Sequence, residues 1–249
     1  MAYELGPCML LVKDLHDGQA QVTTSVGAND TEIPYANESG TFPSAGLIKL
    51  EDEYILYRAI DTDNKKLLRC VRGFYGTTAA AHDGSTTPID CSVLYSDLGK
   101  THGGATLAFG EESQDLTTDQ DGDSPVDTIS KGVTATLTMN LADITLENFA
   151  FAHKTTVEGT APKRRVVVAS NAGCSTVSQQ KSILVVPLGC GGPVTESERT
   201  YFIPNGGIIA KEELAFNTGD QRVIAVEVRC FVNDTIGGPV VIGDASDWL

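Results

Sequence analysis

The sequence predicts a mainly β protein with one α-helix, and three observations carry that prediction. Short runs rich in β-branched and aromatic residues, among them PCMLLVK, GLIKL, EYILYRAI, KLLRCVR, SVLYS, RRVVVAS, SILVVPL and RVIAVEVRCFV, are bounded by Gly, Pro, Asn or Asp, as strands that end in turns are. In VTATLTMNL the apolar Val133, Ala135, Leu137, Met139 and Leu141 alternate with Thr134, Thr136, Thr138 and Asn140, the period of a sheet with one buried face. Only DITLENFAFAHK spaces its apolar residues as a helix does, through Ile144, Leu146, Phe149 and Phe151 or His153, with Asp143 or Thr145 as the cap.

Taken in chain order, PCMLLVKD is the first strand and CSVLYSDLG its expected antiparallel neighbour. That pairing brings Asp14 and Asp90 together at a hairpin tip and leaves Cys8 too far along to bond to Cys91. Residues 16–91 read as a unit set into the tip, with turn-like borders DLHDG and HDGSTTPID around a meander that turns at DTDNKK. A hairpin tip is where insertion is tolerated. The expected organisation is a discontinuous main domain, 1–15 and 92–249, with a small inserted all-β module, 16–91. Deleting Asp17 to Asp90 is then expected to leave the main domain competent to assemble.

Further on, GKTHGG lacks the upstream glycine and following helix of a phosphate-binding loop and is expected to be a turn, with Gly103 and Gly104 at positive φ. Gly110 to Ser130 holds seven acidic residues, Glu111, Glu112, Asp115, Asp119, Asp121, Asp123 and Asp127, and no Lys or Arg. Such a block must be solvated or face water and counterions. RTYFIPNGGIIAKEELAFNTGD reads as strand, turn at PNGG, strand, turn at NTGD. In the last long strand Ile224, Val226, Val228, Cys230 and Val232 make an apolar face, opposite Val223, Ala225, Glu227, Arg229 and Phe231.

Composition argues against several functions. Lys and Arg total 18 against 33 for Asp and Glu, a formal charge of −15, the wrong sign for gripping nucleic acid or an anionic membrane through a basic surface. No run approaches the roughly 18 apolar residues of a membrane span. The early apolar run Cys8 to Val12 is too short for a signal peptide, and no basic residue precedes it. Six scattered cysteines without a C-x-x-C pair are expected to be free thiols, not zinc ligands. Asp119, Asp121 and Asp123 alternate as calcium-loop ligands do, yet the glycine comes too early and Ser130 stands at position twelve. There is no G-x-S-x-G, and His16, His82, His102 and His153 stand in unrelated contexts, so no catalytic residue, metal or cofactor is expected. Lys163, Arg164 and Arg165 form the one basic cluster and are expected to meet an acidic neighbour such as another copy of the protein.

In their order, MAYELGPCMLLVKD, LYSDLGKTHGGATLAFGEESQDLTTDQ, SPVDTISKGVTATLTMNLADITLENFAFA and RTYFIPNGGIIAKEELAFNTGDQRVIAVEVRCFVND resemble the major tail (tail tube) proteins of long-tailed bacteriophages, over about 1–15 and 92–235. The shared run is a first strand, an LG-x-T-x-GG turn, a polar segment ending near PVD, an alternating strand into LEN and a helix, then a late strand, a turn and a long last strand. Separately, Phe42 to His82 resembles a small β module that recurs in phage virion proteins and ends in RG-x-x-GT-x-A-x-x-H. Its position after the first strand departs from an ordinary tube subunit.

The resemblance implies a β-sandwich or barrel-like tail tube fold with one flanking helix. Its subunits join as rings, usually hexamers, and stack into the tube of a siphovirus tail, assembled in the host cytoplasm and meeting tape measure, terminator and baseplate proteins, with no cofactor and no membrane. DNA passes through without specific binding. Thr134, Thr136, Thr138 and Asn140 are then expected to face the lumen, and Glu111 to Asp127 the lumen or the ring junction, where negative charge repels phosphate. Lys163, Arg164 and Arg165 are expected between subunits, and the inserted module outside, since an insert in the lumen would block it. Two rivals stand beside this: another virion ring or decoration protein (tail end, baseplate or capsid), or a carbohydrate or cell-surface binding module. The second would use Tyr54, Tyr57, Phe74 and Tyr75 as a stacking platform, unless those aromatics are the module's own core.

Overall fold

Ten strands and one helix carry the architecture in a computed structural model that describes residues 7–13, 15–168, 175, 179–189, 192–211 and 221–249. They are β1 (Cys8–Lys13), β2 (Gly46–Leu50), β3 (Glu53–Tyr57), β4 (Val71–Phe74), β5 (Ile89–Asp97), β6 (Thr101–Leu116), β7 (Asp127–Leu141), α1 (Leu146–Ala152), β8 (Lys181–Gly189), β9 (Tyr201–Ala210) and β10 (Ile224–Phe231). The strands pair in the order β4-β3-β2-β5-β1-β8-β9-β10-β7-β6, every neighbouring pair antiparallel. The expected mainly β fold with one helix is what forms.

The central strands are buried on both faces. Leu10 and Val12 of β1 share one core cluster with Ile183, Val185 and Ile203, whereas Met9 and Leu11 share another with Leu184, Val186 and Phe202. This is why CMLLVK and SILVVPL are continuous apolar runs rather than alternating ones. The first cluster is completed by Ala135, Leu137, Met139 and Leu141 of β7, by Ile224, Val226, Val228 and Cys230 of β10, and by Phe151 and Ala152 of α1. The second is completed by Leu47, Tyr54, Leu56, Phe74 and Tyr75 from the inserted segment and by Tyr95. A third, including Ile33, Ile48, Leu50, Ile55, Tyr57, Leu67 and Cys91, lies within residues 16–91.

Strand β5 runs through the expected boundary at 91/92. One of its edges pairs with β2, from Cys91↔Leu50 to Ser96↔Gly46. The other takes Gln19–Val22 along Ile89 to Ser92 and β1 along Tyr95 to Asp97. Asp90 is therefore not at a hairpin tip: it lies opposite Gln21, whose Nε2 donates to Asp90 Oδ1 at 2.9 Å. The cause is that β5 outlasts β1, and the chain returns at Gln19 to cover the remaining edge; Asp14 lies outside the described residues. Cys8, Cys70, Cys91 and Cys230 are free thiols, and burial pushes Cys70 and Cys91 up to about 12. Cys174 and Cys190 lie outside the described residues.

Several expected turns and strands differ. PNGG is a bulge inside the continuous β9, where pairing with β8 shifts between Lys181↔Gly206 and Ile183↔Ile203. A Cβ on Gly207 would stand 2.4 Å from the Phe231 ring, so close packing, not a turn, requires this glycine. GKTHGG is likewise a bulge in β6, with Gly103 and Gly104 at φ 75° and 79°. KLLRCVR breaks at Arg69 into Lys66–Leu68 and β4, and among the described residues of RRVVVAS a strand forms at Arg165–Val166. NTGD lies outside the described residues. The helix is capped by Thr145, whose Oγ1 accepts from Asn148 N at 3.1 Å. Its buried face is Asn148, Ala150, Phe151 and Ala152, with Ile144 exposed. Asn148 Nδ2 donates to Leu98 O at 3.0 Å and Asp143 O at 2.7 Å, which draws that face inward.

Candidate assembly surfaces

The acidic block is the outer half of a β-hairpin. Strands β6 and β7 pair from Thr101↔Leu141 out to Leu116↔Asp127, but β7 pairs with β10 only over Ala135 to Leu141. Beyond Ala135 the hairpin leaves the sheet and stands as an arm, every residue from Ala108 to Thr134 exposed. Eight paired residues, Phe109 to Leu116, make it about 26 Å long before its turn. Glu111, Glu112, Asp115, Asp119, Asp121, Asp123 and Asp127 all lie on it. Thr128 Oγ1 donates to Asp115 Oδ1 at 2.8 Å, and Thr118 Oγ1 to Asp121 Oδ2 at 2.5 Å. The arm also exposes Phe109, Leu116, Val126, Ile129 and Val133. Val133 was expected on the buried face of its strand and is exposed because the sheet ends at Ala135; the other four were not singled out, although TLAFGEESQDL and DTISKGV flank a turn-rich TTDQDGDSP as hairpin strands do.

Thr134, Thr136, Thr138 and Asn140 lie on the face of β7 opposite the first core cluster, the side away from α1. Across from them on β10, Thr136 meets Arg229, Thr138 meets Glu227 and Asn140 meets Ala225. Glu227 forms ion pairs with Lys211 and with Arg229, the latter at 3.5 Å. The hydrogen bond from Lys211 is the main cause holding the Glu227 carboxyl below the usual carboxylate range. The face is therefore polar and mixed in charge, and Lys211 was a member the sequence did not suggest.

The basic cluster sits elsewhere, beside α1. Arg164 pairs with Glu147 of the helix, and Arg165 Nε with Glu158 Oε2 at 3.1 Å. Two of the three basic residues thus have acidic partners in their own chain, and none meets the acidic arm of that chain. Between α1 and the base of the inserted segment runs a groove of about 940 Å³. Its lining includes His16, Gln19, Ser92, Phe151, Lys154 and Arg164. His16 Nδ1 lies 2.9 Å from Ser96 Oγ, and burial pushes its imidazole down from the ordinary value.

Tyr54, Tyr57, Phe74 and Tyr75 are at most 7% exposed and offer no stacking platform. Among the described residues, no three His, Cys, Asp or Glu side chains converge as metal ligands, and no helix is long and apolar enough to cross a membrane. No protein-family model matches the chain, and no curated protein matches it.

Proposed function

We propose that the chain is a structural, non-enzymatic virion protein: a phage tail tube subunit whose copies join as rings, hexamers in the leading form, and stack around a channel for the genome. One observation carries the reading. Strand β6, 16 residues long, ends the sheet with its outer edge unpaired among the described residues and runs on into a bare arm. An open edge of that length is an aggregation liability for a monomer, and closing copies into a ring removes it. The helix-free face of Thr134, Thr136, Thr138 and Asn140 suits a wet channel wall. At the junction between rings the arm adds the charge sign that repels phosphate. In this arrangement the tape measure, terminator and baseplate proteins are the partners, and the virion tail is the location.

Negative-stain microscopy of the recombinant protein tests this. Tubes with a central hole are expected, and a dispersed monomer at high concentration would overturn it. Single rings that do not stack would favour a tail-end, baseplate or capsid-decoration part instead.

A further inference from the structure

We propose that the acidic arm of one copy docks in the groove beside α1 of a second copy; this rests on the self-assembly in the reading above, not on the tube.

The charge of the chain is divided in space. Gly110 to Ser130 carries seven acidic residues and no basic one. Leu146 to Lys181 carries five basic residues, Lys154, Lys163, Arg164, Arg165 and Lys181, against only Glu147 and Glu158. In a chain of net charge −15 this is a region of opposite sign, as is Arg58 to Arg72. Arg164 and Arg165 are engaged with Glu147 and Glu158, which leaves Lys154 and Lys163 as the cations without an ion pair among the described residues. Asp17 and Glu147 are the acidic groups on the groove wall, and Glu147 is already matched by Arg164.

The apolar parts match as well. Leu116, Val126 and Ile129 are exposed near the tip of an arm whose other charges are seven acids and the single Lys131, Val126 and Ile129 at 52% each. The groove wall offers the half-buried Leu15 and Val157, over the buried Ala150, Phe151 and Ile208. Three aliphatic side chains held in water on one projecting hairpin are the composition of a docking element, not of a free loop. The arm cannot reach the groove of its own chain, because it is hydrogen-bonded as a ribbon to Leu116↔Asp127 and continues the plane of β6 and β7 away from the body. The occupant is therefore the arm of a second copy, and each copy offers one arm and one groove. Such a head-to-tail contact closes into rings or continues as a stack.

The test is a charge swap in the full chain, read by sedimentation velocity at low salt with circular dichroism as the fold control. Asp119→Lys with Asp123→Lys on the arm, and the half-buried Lys154→Glu of the groove with Lys163→Glu beside it, are the two reversals; Asp119, Asp123 and Lys163 are exposed. Each double variant should weaken self-association at least about tenfold. The quadruple variant carrying both reversals should recover it, as should an equimolar mixture of the two double variants. A third variant, with Thr117 to Pro125 shortened to a two-residue turn, should lose association as the arm reversal does. Association that survives arm reversal or shortening, or that is not recovered by the swap, overturns the proposal. A swap-dependent assembly that is not a tube would sink the tube reading and keep this contact; tubes indifferent to the swap would do the reverse.

Discussion

Replacing Glu53 with Gln should be among the most damaging single changes in the protein. The Glu53 side chain is 1% exposed and accepts from Arg72 Nε at 2.9 Å, Arg72 Nη2 at 2.7 Å, Gly73 N at 2.7 Å, Ala80 N at 3.2 Å and His82 Nε2 at 2.8 Å. Burial alone would raise its pKa, but the donors from Arg72, His82, Gly73 and Ala80 together outweigh burial and hold it at about 2, down from 4.5. That depression corresponds to about 3 kcal/mol. A depressed carboxyl contributes stability that is complete above its unfolded pKa, so the contribution is whole above 4.5 and is lost as pH falls through 2. Gln fills the same space but removes the charge and turns an amide N–H toward other donors. Arg72, whose side chain is 6% exposed, is then a buried cation without its partner. Breaking such a pair costs about 3–5 kcal/mol, against a total of roughly 5–15 kcal/mol for a domain. Urea midpoints at pH 7 and pH 2.5 check this. The variant should be far weaker at pH 7, and the gap should narrow at pH 2.5, where the wild-type carboxyl begins to protonate. A loss below about 0.5 kcal/mol at pH 7, or a gap that ignores pH, would refute the reasoning.

The remaining predictions concern charge and the inserted segment. Burial, opposed by the Gly99 N–H and joined by the nearby Asp143 charge, raises Asp97 from 3.8 to about 6, so this group makes stability fall as pH rises across that window. Asp97→Asn, which keeps the acceptor for Gly99, should match wild type near pH 3.5 and melt higher at pH 7, by about 2 kcal/mol of stability; equal melting at pH 7 would count against it. In assembled phage, Asp115 and Asp127 changed to Lys, with the Asp119 and Asp123 pair of the docking test left intact, should slow DNA release measured by dye fluorescence, and unchanged release would argue against a position at the ring junction beside the channel. Replacing Asp17 to Asp90 by a short Gly linker removes Leu47, Tyr54, Leu56, Phe74 and Tyr75 and uncovers Met9, Leu11, Leu184, Val186 and Phe202. The expected product is aggregate, the reverse of what the sequence division suggests, and soluble rings on size exclusion would show the shared core to be dispensable.

Alternation made VTATLTMNL and RVIAVEVRCFV legible, because one buried face writes a period of two into the residues. The buried face of α1 was less legible: a polar residue, Asn148, turns inward for two carbonyls that only the folded chain supplies. Glycine and proline marked PNGG and GKTHGG correctly as irregular, yet the same residues serve turns and bulges alike, and only the pairing register separates the two. The arm was hidden by its own composition. Glu111, Glu112 and Asp115 read as a solvated block, and so they are, but strand pairing between Glu111↔Val133 and Leu116↔Asp127 depends on backbone groups that carry no sequence signature. The basic cluster was legible as a cluster, whereas its partners Glu147 and Glu158 come from other elements and could not be named in advance.

The RG-x-x-GT-x-A-x-x-H pattern is the clearest case in which a signature resolves into packing. Arg72 and His82 both hold Glu53, and His82 Nδ1 lies 2.6 Å from Glu51 Oε2, so the ring bridges the two acids. Gly73 sits at φ 60°, where an added Cβ would stand 2.9 Å from Thr77 O. Thr77 Oγ1 accepts from Tyr54 N at 3.1 Å and donates to Phe74 O at 2.8 Å. Every one of these contacts is internal to residues 16–91. The links to the rest of the chain lie side by side: Gly76, a pattern residue, donates its N–H to Thr195 O at 3.2 Å, and Tyr75, at a position the pattern leaves open, donates its hydroxyl to Gly243 O at 3.2 Å and accepts from Ala245 N at 3.0 Å. Arg72, Gly73, Thr77 and His82 therefore keep the segment folded, and Tyr75 and Gly76 with the second core cluster fix where it sits, so a search for its partner belongs on the exposed turns of the segment and not on its signature.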